Sequence, residues 1–289
     1  MPKASTSKAA AASGSQMRSG KASTSNGDAQ FTRSDDRFEY DIFTSGCASA
    51  AHLLNLVRAA LLRDDLTKNY GIDLTDVLPI GEDAVLKRIV DNASHHPITA
   101  YRLRLLIIRG NNTDPVVRTE LSDVLRGLEL PHLKAIKILR PGFSSRFFEE
   151  TVYLLLFRAG KKGILKHVSL QWHCTYGAGL TRYLESSATA NLVTLRLQTN
   201  ADVRTRITDA LGRGHRFPKL RRLSLVNIQG LTPALLLDTL QTRFDRGLTS
   251  RLVVEITGEV PKAVVRASRE INVVFRSVGE TLLEKAQDL

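Results

Sequence analysis

The sequence predicts an α/β fold in which short parallel strands alternate with helices in a stacked array. Three observations support this prediction: a Leu-x-x-Leu-x-Leu phrase returns along the chain, its copies lie nearly evenly spaced, and a helical pattern follows each copy. A strand and a helix that recur at a fixed period form a parallel sheet, because right-handed crossovers return each strand to the side of the previous one.

The phrase occurs in five clear copies and one degraded copy, which begin at Leu103, Leu133, Leu165, Leu192, Leu220 and Leu248. Successive first leucines are therefore 30, 32, 27, 28 and 28 residues apart. This phrase at this period resembles the leucine-rich repeat, in which each unit is one strand and one helix. That resemblance implies a solenoid, or horseshoe, with a parallel inner sheet and outer helices.

Apolar residues at helical spacing follow each phrase and predict helices over 116–128, 147–158, 180–186, 203–211 and 232–244. The last of these begins at Thr232-Pro233, where the Thr is an N-cap and the Pro takes the first helical position. After Pro261 the pattern is less regular, and we expect one more strand over 271–275 and a closing helix over 278–287.

Three segments are expected along the chain. Residues 1–35 form a basic Ser/Ala-rich tail with almost nothing to bury, so we expect them to be disordered. Residues 36–100 are predicted to form a helical cap, with helices over 49–62 and 81–90 that cover the apolar end of the array. Residues 101–289 are the predicted solenoid.

The charge of the chain favours an acidic partner. Its formal net charge is +12 and its pI is about 10.0, and such a balance attracts acidic proteins, nucleic acids and anionic surfaces. No apolar run is long enough to span a membrane, and the N-terminal thirty residues lack the apolar core of a signal peptide. We therefore expect a cytoplasmic or nuclear protein that does not enter a membrane.

The best candidate for a binding site is the inner sheet face, where cations lie between the core leucines of the phrase. We predict that the partner-binding residues are Arg104, Lys134, Lys137, Lys166, Arg196, Arg221 and Arg222. His167 adds to this set. Three interpretations remain open: a solvated basic face, a surface for an acidic protein or peptide, and a nucleic-acid surface. The last is the weakest, because no aromatic residues are interleaved for base stacking.

The sequence contains no catalytic or cofactor-binding motif that we recognise, so we expect a protein that is not an enzyme and needs no cofactor. His167, His173 and Cys174 are the only cluster with metal-ligand character. Structural zinc sites need four ligands at other spacings, so no metal is expected.

The later repeats resemble the repeat region of fungal F-box-like proteins. The strand phrase Phe217-Pro-Lys-Leu-Arg-Arg-Leu-Ser-Leu, followed by the helix Ala234-Leu-Leu-Leu-Asp-Thr-Leu-Gln-Thr-Arg243, carries this resemblance, which covers about residues 75–260. It implies an adaptor whose F-box recruits a ubiquitin ligase and whose repeats hold the substrate. Leu78-Pro79 matches the start of an F-box, but the phrase at Leu103 leaves too little chain for the rest of that module.

We therefore predict a non-enzymatic protein-interaction scaffold that recognises an acidic partner through its inner face. One alternative is an F-box-type adaptor in which residues 70–100 bind the ubiquitin-ligase scaffold. The other is a basic nucleic-acid-associated protein, for which affinity should fall steeply with added salt.

Overall fold

The computed structural model describes much of the chain from residue 43 to residue 278. The described residues are 43–46, 70–73, 79–80, 83–85, 87–88, 92, 98–99, 103–109, 115–139, 151–171, 178–199, 202–213 and 216–278. The chain divides into two compact units, Met1–Glu39 and Tyr40–Leu289, and all described residues belong to the second. The predicted tail, the helix over 49–62, the closing helix over 278–287 and most of the segment that resembles an F-box lie outside the described residues.

Strands and helices alternate along the second unit. The strands are β1 Phe43–Gly46, β2 Tyr70–Asp73, β3 Ile98–Thr99, β4 Leu103–Arg109, β5 Leu128–Glu129, β6 Ala135–Leu139, β7 His167–Gln171, β8 Thr194–Gln198, β9 Arg222–Val226, β10 Leu252–Thr257 and β11 Val273–Val278. The helices are α1 Pro115–Gly127, α2 Tyr153–Lys161, α3 Ala178–Leu184, α4 Arg204–Gly212, α5 Pro233–Asp245 and α6 Lys262–Glu270, with a 3-10 helix at Ser187–Thr189.

The larger sheet is parallel throughout its described part, and its strands follow one another in chain order. The order is β1-β2-β4-β6-β7-β8-β9-β10-β11, while β3 and β5 form a separate parallel pair. Seven of these strands, β4 and β6 to β11, lie within residues 103–278. The sheet is not closed, since β1 and β11 form its edges. Each helix from α1 to α5 contacts the next helix in sequence. The predicted α/β class with a parallel sheet is confirmed.

The core lies between one face of the sheet and the helices. The fourth position of the phrase forms a continuous buried row across six strands: Leu106, Ile136, Val168, Leu195, Leu223 and Val254. The first leucines of the next four copies, Leu133, Leu165, Leu192 and Leu220, are also fully buried. Each such side chain contributes about 1.5–3 kcal/mol by leaving water, so the phrase that recurs in the sequence is the main apolar contribution of each strand.

The sixth strand lies three residues later than the phrase predicts. Register places Val254 beside Leu223 and Ile256 beside Leu225, so the first position of this copy is Arg251 and not Leu248. The prediction was wrong because the copy lacks its first leucine, and Leu252, which is buried, supplies apolar contact from the next position. The helix α6 that follows was also missed, because only Val264 and Ser268 of its residues are buried.

Side-chain hydrogen bonds stabilise the ends of α5. The Thr232 hydroxyl accepts a hydrogen bond from the Leu235 amide, 3.2 Å away, and Pro233 follows the cap, as predicted. Near the other end, the buried Arg243 guanidinium donates to the carbonyls of Arg216 at 3.1 Å and Phe217 at 2.6 Å. Phe217 has a positive φ of 51°, and Arg243 therefore holds an unusual turn in the segment that leads to β9.

The segment predicted to be a helical cap also contributes strands. β1 and β2 lie within residues 36–100 and extend the sheet beyond β4 in parallel. At the boundary with the array, the Ile80 amide donates to the Glu120 carboxylate of α1, at 3.1 and 3.3 Å from its two oxygens. Residues before the first phrase therefore pair with the sheet through β2 and hydrogen-bond to α1 through Ile80.

Candidate partner-binding surface

Four of the predicted residues occupy equivalent positions just before or at the start of their strands. In this leading row, each amide donates to the carbonyl of the same position one strand earlier: Lys134 to Arg104 at 2.8 Å, Lys166 to Lys134 at 2.9 Å, Val193 to Lys166 at 2.8 Å and Arg221 to Val193 at 2.9 Å. Adjacent strands lie about 4.8 Å apart. The row therefore brings Arg104, Lys134 and Lys166 together on three successive strands, whereas Val193 separates Arg221 from them.

The other three predicted residues lie on the sheet face opposite the core. We call this surface the open face; its described, partly exposed members include Lys137, His167, Ser169, Thr194, Arg196 and Arg222. Register pairs Lys137 with Ser169, Ser169 with Arg196, and Arg196 with Ser224. Lys137 and Arg196 are thus two strands apart in one row, with a hydroxyl between them.

The β4 side of this face is buried. Leu105, Ile107 and Ala135 form a separate apolar cluster and are at most 3% exposed. Leu105 lies beside Ala135, and Ala135 lies beside His167. The accessible basic surface therefore begins at Lys137 and His167 and does not extend over the whole inner face.

Three of the predicted lysines act electrostatically on His167. Burial, followed by the positive charges of Lys166, Lys134 and Lys137 in that order, lowers the pKa of His167 from 6.5 to about 4. The imidazole is therefore neutral at pH 7. Lys134 and Lys166 belong to the leading row, and Lys137 belongs to the open face. Because all three act on the imidazole of His167, the two surfaces adjoin at this residue. We call Lys134, Lys137, Lys166, His167 and Arg196 the basic patch.

Arg222 has a carboxylate partner that sequence analysis missed. Its Nη2 lies 2.5 Å from Oε1 of Glu255 on the neighbouring strand, and the two side chains are 29% and 14% exposed. Glu255 falls on this face only because β10 is displaced relative to the predicted phrase. Alternation along Leu252–Thr257 would have shown Glu255 opposite the core had the register been known. The pair neutralises this part of the face, so Arg222 is not part of the basic patch.

The structure therefore places the seven predicted residues in different surroundings. Lys134, Lys137, Lys166 and Arg196 lie in the basic patch, and Arg104 continues the leading row beside Lys134. Arg221 is exposed but separated by Val193, and Arg222 is ion-paired. The positive charge is concentrated around β6, β7 and β8.

The described part of the chain offers neither a metal site nor a membrane-spanning helix. Among its residues no group of three or more His, Cys, Asp and Glu side chains is arranged to hold a metal ion; His173 and Cys174 lie outside it. Within the same residues, no helix has the length and apolar character needed to cross a membrane.

Comparison with known proteins finds no match: no protein-family model matches this sequence, and neither the curated proteins nor the solved structures give a match. The resemblance to leucine-rich repeats and to fungal F-box-like proteins therefore stays a prediction from sequence.

Proposed function

We propose that this protein is a non-enzymatic interaction scaffold of the leucine-rich-repeat type, and that its basic patch binds an acidic protein segment. The strand order supports the solenoid architecture, because successive strands add only to the next position in the sheet and successive helices contact one another. In a doubly wound α/β sheet the strand order reverses at a switch point, and the described strands have no such reversal.

The observation that carries the proposal is the register of β6, β7 and β8, which places four cations on consecutive strands: Lys134, Lys137, Lys166 and Arg196. Like charges on neighbouring strands, which lie about 4.8 Å apart, repel one another, and an anionic partner relieves that repulsion. Neither Lys134 nor Lys166 forms an ion pair within the part of the chain that the structure describes. A carboxylate-rich segment laid across β6, β7 and β8 would meet these lysines and Arg196 on consecutive strands.

An acidic protein segment fits this surface better than nucleic acid. The described members of the basic patch and its register neighbours are cationic, hydroxylic or aliphatic, and apart from the imidazole of His167 they include no aromatic ring for base stacking. Carboxylates, in contrast, need only the ammonium and guanidinium donors that are present.

The test compares two variants that lower the net charge equally. Lys137→Glu with Arg196→Glu alters the basic patch, whereas Arg266→Glu with Arg269→Glu alters exposed positions on α6. Arg222 is left unchanged, because a Glu there would face Glu255. The probe is a decaglutamate peptide, with decaglutamine and duplex DNA as comparison ligands, measured by fluorescence anisotropy at physiological salt.

We expect decaglutamate affinity to fall by about tenfold or more in the patch variant and by less than about twofold in the α6 variant. Binding should also raise the pKa of His167, which NMR titration of its imidazole would report, because an added anion offsets the field of the lysines. Equal weakening in both variants would show that only net charge matters and would overturn the proposal. Tighter binding of duplex DNA that depends on the same two residues would support the nucleic-acid alternative instead.

A further inference from the structure

A cavity at the ends of α1 and α2 shares no residue with the basic patch. It has a volume of about 400 Å³ and is formed by the end of α1, the segment from β5 to Leu130 and the last turns of α2. This volume falls within the range of about 300–1,000 Å³ that is typical of small-molecule sites. Neither the repeat pattern nor the proposed partner explains it.

The floor of this cavity is aliphatic. Its lining includes four aliphatic side chains whose exposed fraction is 7% or less: Leu128, Leu130, Leu155 and Ala159. Such a surface favours an alkyl group over a polar one, because burying a polar group without a hydrogen bond is costly. The part of a ligand that enters the cavity should therefore be a hydrocarbon chain.

The rim of the cavity is cationic. Arg126, Arg158, Lys161 and Lys162 surround the floor, and Glu129 is the only acid among the described residues that line the cavity. The carboxylate of Glu129 accepts a 3.4 Å hydrogen bond from the Thr99 hydroxyl on the paired strand. The rim therefore has a net positive charge, which favours an anionic head group.

Two of the rim cations are positioned by other contacts. Nη1 of Arg158 donates to the Arg126 carbonyl at 2.7 Å, and the Lys161 ammonium lies 4.4 Å from the centre of the Phe157 ring. A guanidinium has five N–H donors, so this one bond leaves Arg158 with donors for a carboxylate. A positioned Arg binds a carboxylate well, because less side-chain freedom is lost on binding.

We propose that this cavity binds a medium-chain alkyl carboxylate, with the chain on the aliphatic floor and the carboxylate at the Arg158–Lys161–Lys162 rim. The shape and the charge point to the same ligand class: an alkyl chain alone would leave the cationic rim unmatched, and a small anion alone would leave the floor unfilled.

Calorimetric titration with decanoate tests this proposal on the full chain, with acetate and decyltrimethylammonium as the head-only and opposite-charge probes. The variant Lys161→Glu with Lys162→Glu reverses two exposed rim charges, and Arg266→Glu with Arg269→Glu is the control of equal charge. We expect saturable decanoate binding that weakens by about tenfold in the rim variant only, with little binding of either comparison probe. Circular dichroism of both variants checks that they remain folded.

No saturable decanoate binding, or equal weakening in both variants, would overturn the proposal. Equally tight binding of decyltrimethylammonium would overturn it as well, because the charge of the rim would then not select the ligand. Because the decaglutamate experiment uses different residues and a different probe, either proposal can fail while the other stands.

Discussion

The replacement Gly160→Ala should destabilise the protein, although Ala normally favours a helix over Gly. Gly160 lies in α2 where this helix packs on the 3-10 helix. A Cβ at this position would lie 2.4 Å from the Ala188 carbonyl oxygen and 2.6 Å from the Ala188 Cβ. Real Cβ contacts essentially never fall below 3.0 Å, so two backbone segments would have to separate by about 0.6 Å or more.

The expected magnitude follows from two opposing effects. Overpacking of this kind costs about 1–3 kcal/mol, and two rigid backbones place this case near the upper end. Replacing a helical Gly by Ala gains about 0.5–1 kcal/mol. We therefore expect a net loss of about 2 kcal/mol in the free energy of unfolding, or a fall in Tm of about 4–8 °C for a chain of this size.

Gly212→Ala is the matched control. Gly212 is the last residue of α4, much as Gly160 lies next to the end of α2, but its nearest neighbour to an added Cβ is the Thr239 Cγ2 at 3.9 Å, an ordinary contact. The same substitution should therefore be neutral or stabilising by about 0.5 kcal/mol. Urea unfolding followed by circular dichroism at the helix band measures both. If Gly160→Ala is as stable as the native chain, the close approach of α2 to Ala188 is not rigid and the reasoning fails.

Two further predictions concern ionisable groups whose pKa values are lowered by burial, His167 in part and Arg243 almost fully. The neutral form of His167 is favoured in the folded chain, since its pKa falls from 6.5 to about 4, so stability should be complete above pH 6.5 and decline towards pH 4. Urea midpoints across this window should show a loss of about 1–2 kcal/mol after solvent screening, and a His167→Gln variant that declined equally would contradict this account. Burial lowers the pKa of Arg243 from 12.5 to about 10, so holding its charge costs about 3 kcal/mol, against about 1.5–3 kcal/mol for each of its two carbonyl bonds. Arg243→Met should thus lower the free energy of unfolding by about 1–2 kcal/mol. Arg243→Lys should be no more stable than the Met variant, because an ammonium lacks the planar fork that donates to both carbonyls. A Met variant as stable as the native chain in thermal unfolding would refute the turn-holding role of Arg243.

The local elements could be predicted from the sequence because their causes are local. Alternation of apolar residues along each copy places the fourth residue of the phrase, such as Ile136 or Leu195, in one buried row. The Thr232 cap was predicted from adjacent residues, and the structure confirms it. Local pattern does not decide the register of the sixth copy, because its apolar residues at 248 and 252 fit two registers. Only the pairing with β9 selects one of them, which explains the error there.

The candidate surface was predicted less completely, because charge on a surface depends on residues that are distant in sequence. All seven cations could be identified from the phrase. The residues near Arg222 in the chain, however, do not predict its ion pair with Glu255, which lies 33 residues later. Alternation along β4 also places Ile107 on the open face, but it does not reveal that Ile107 is buried there beside Leu105 and Ala135.

Periodicity and net charge are properties of the chain alone, and they specify that strands and helices alternate, which residues of the phrase enter the core, and the expectation of an acidic partner. Where the charge is concentrated depends on tertiary contacts. These contacts place three lysines where they act electrostatically on His167, neutralise Arg222 with Glu255, bring Gly160 against Ala188 and leave an aliphatic cavity with a cationic rim. Most of these contacts join residues that are distant in sequence, and their geometry is set by sheet register and helix packing rather than by local preference.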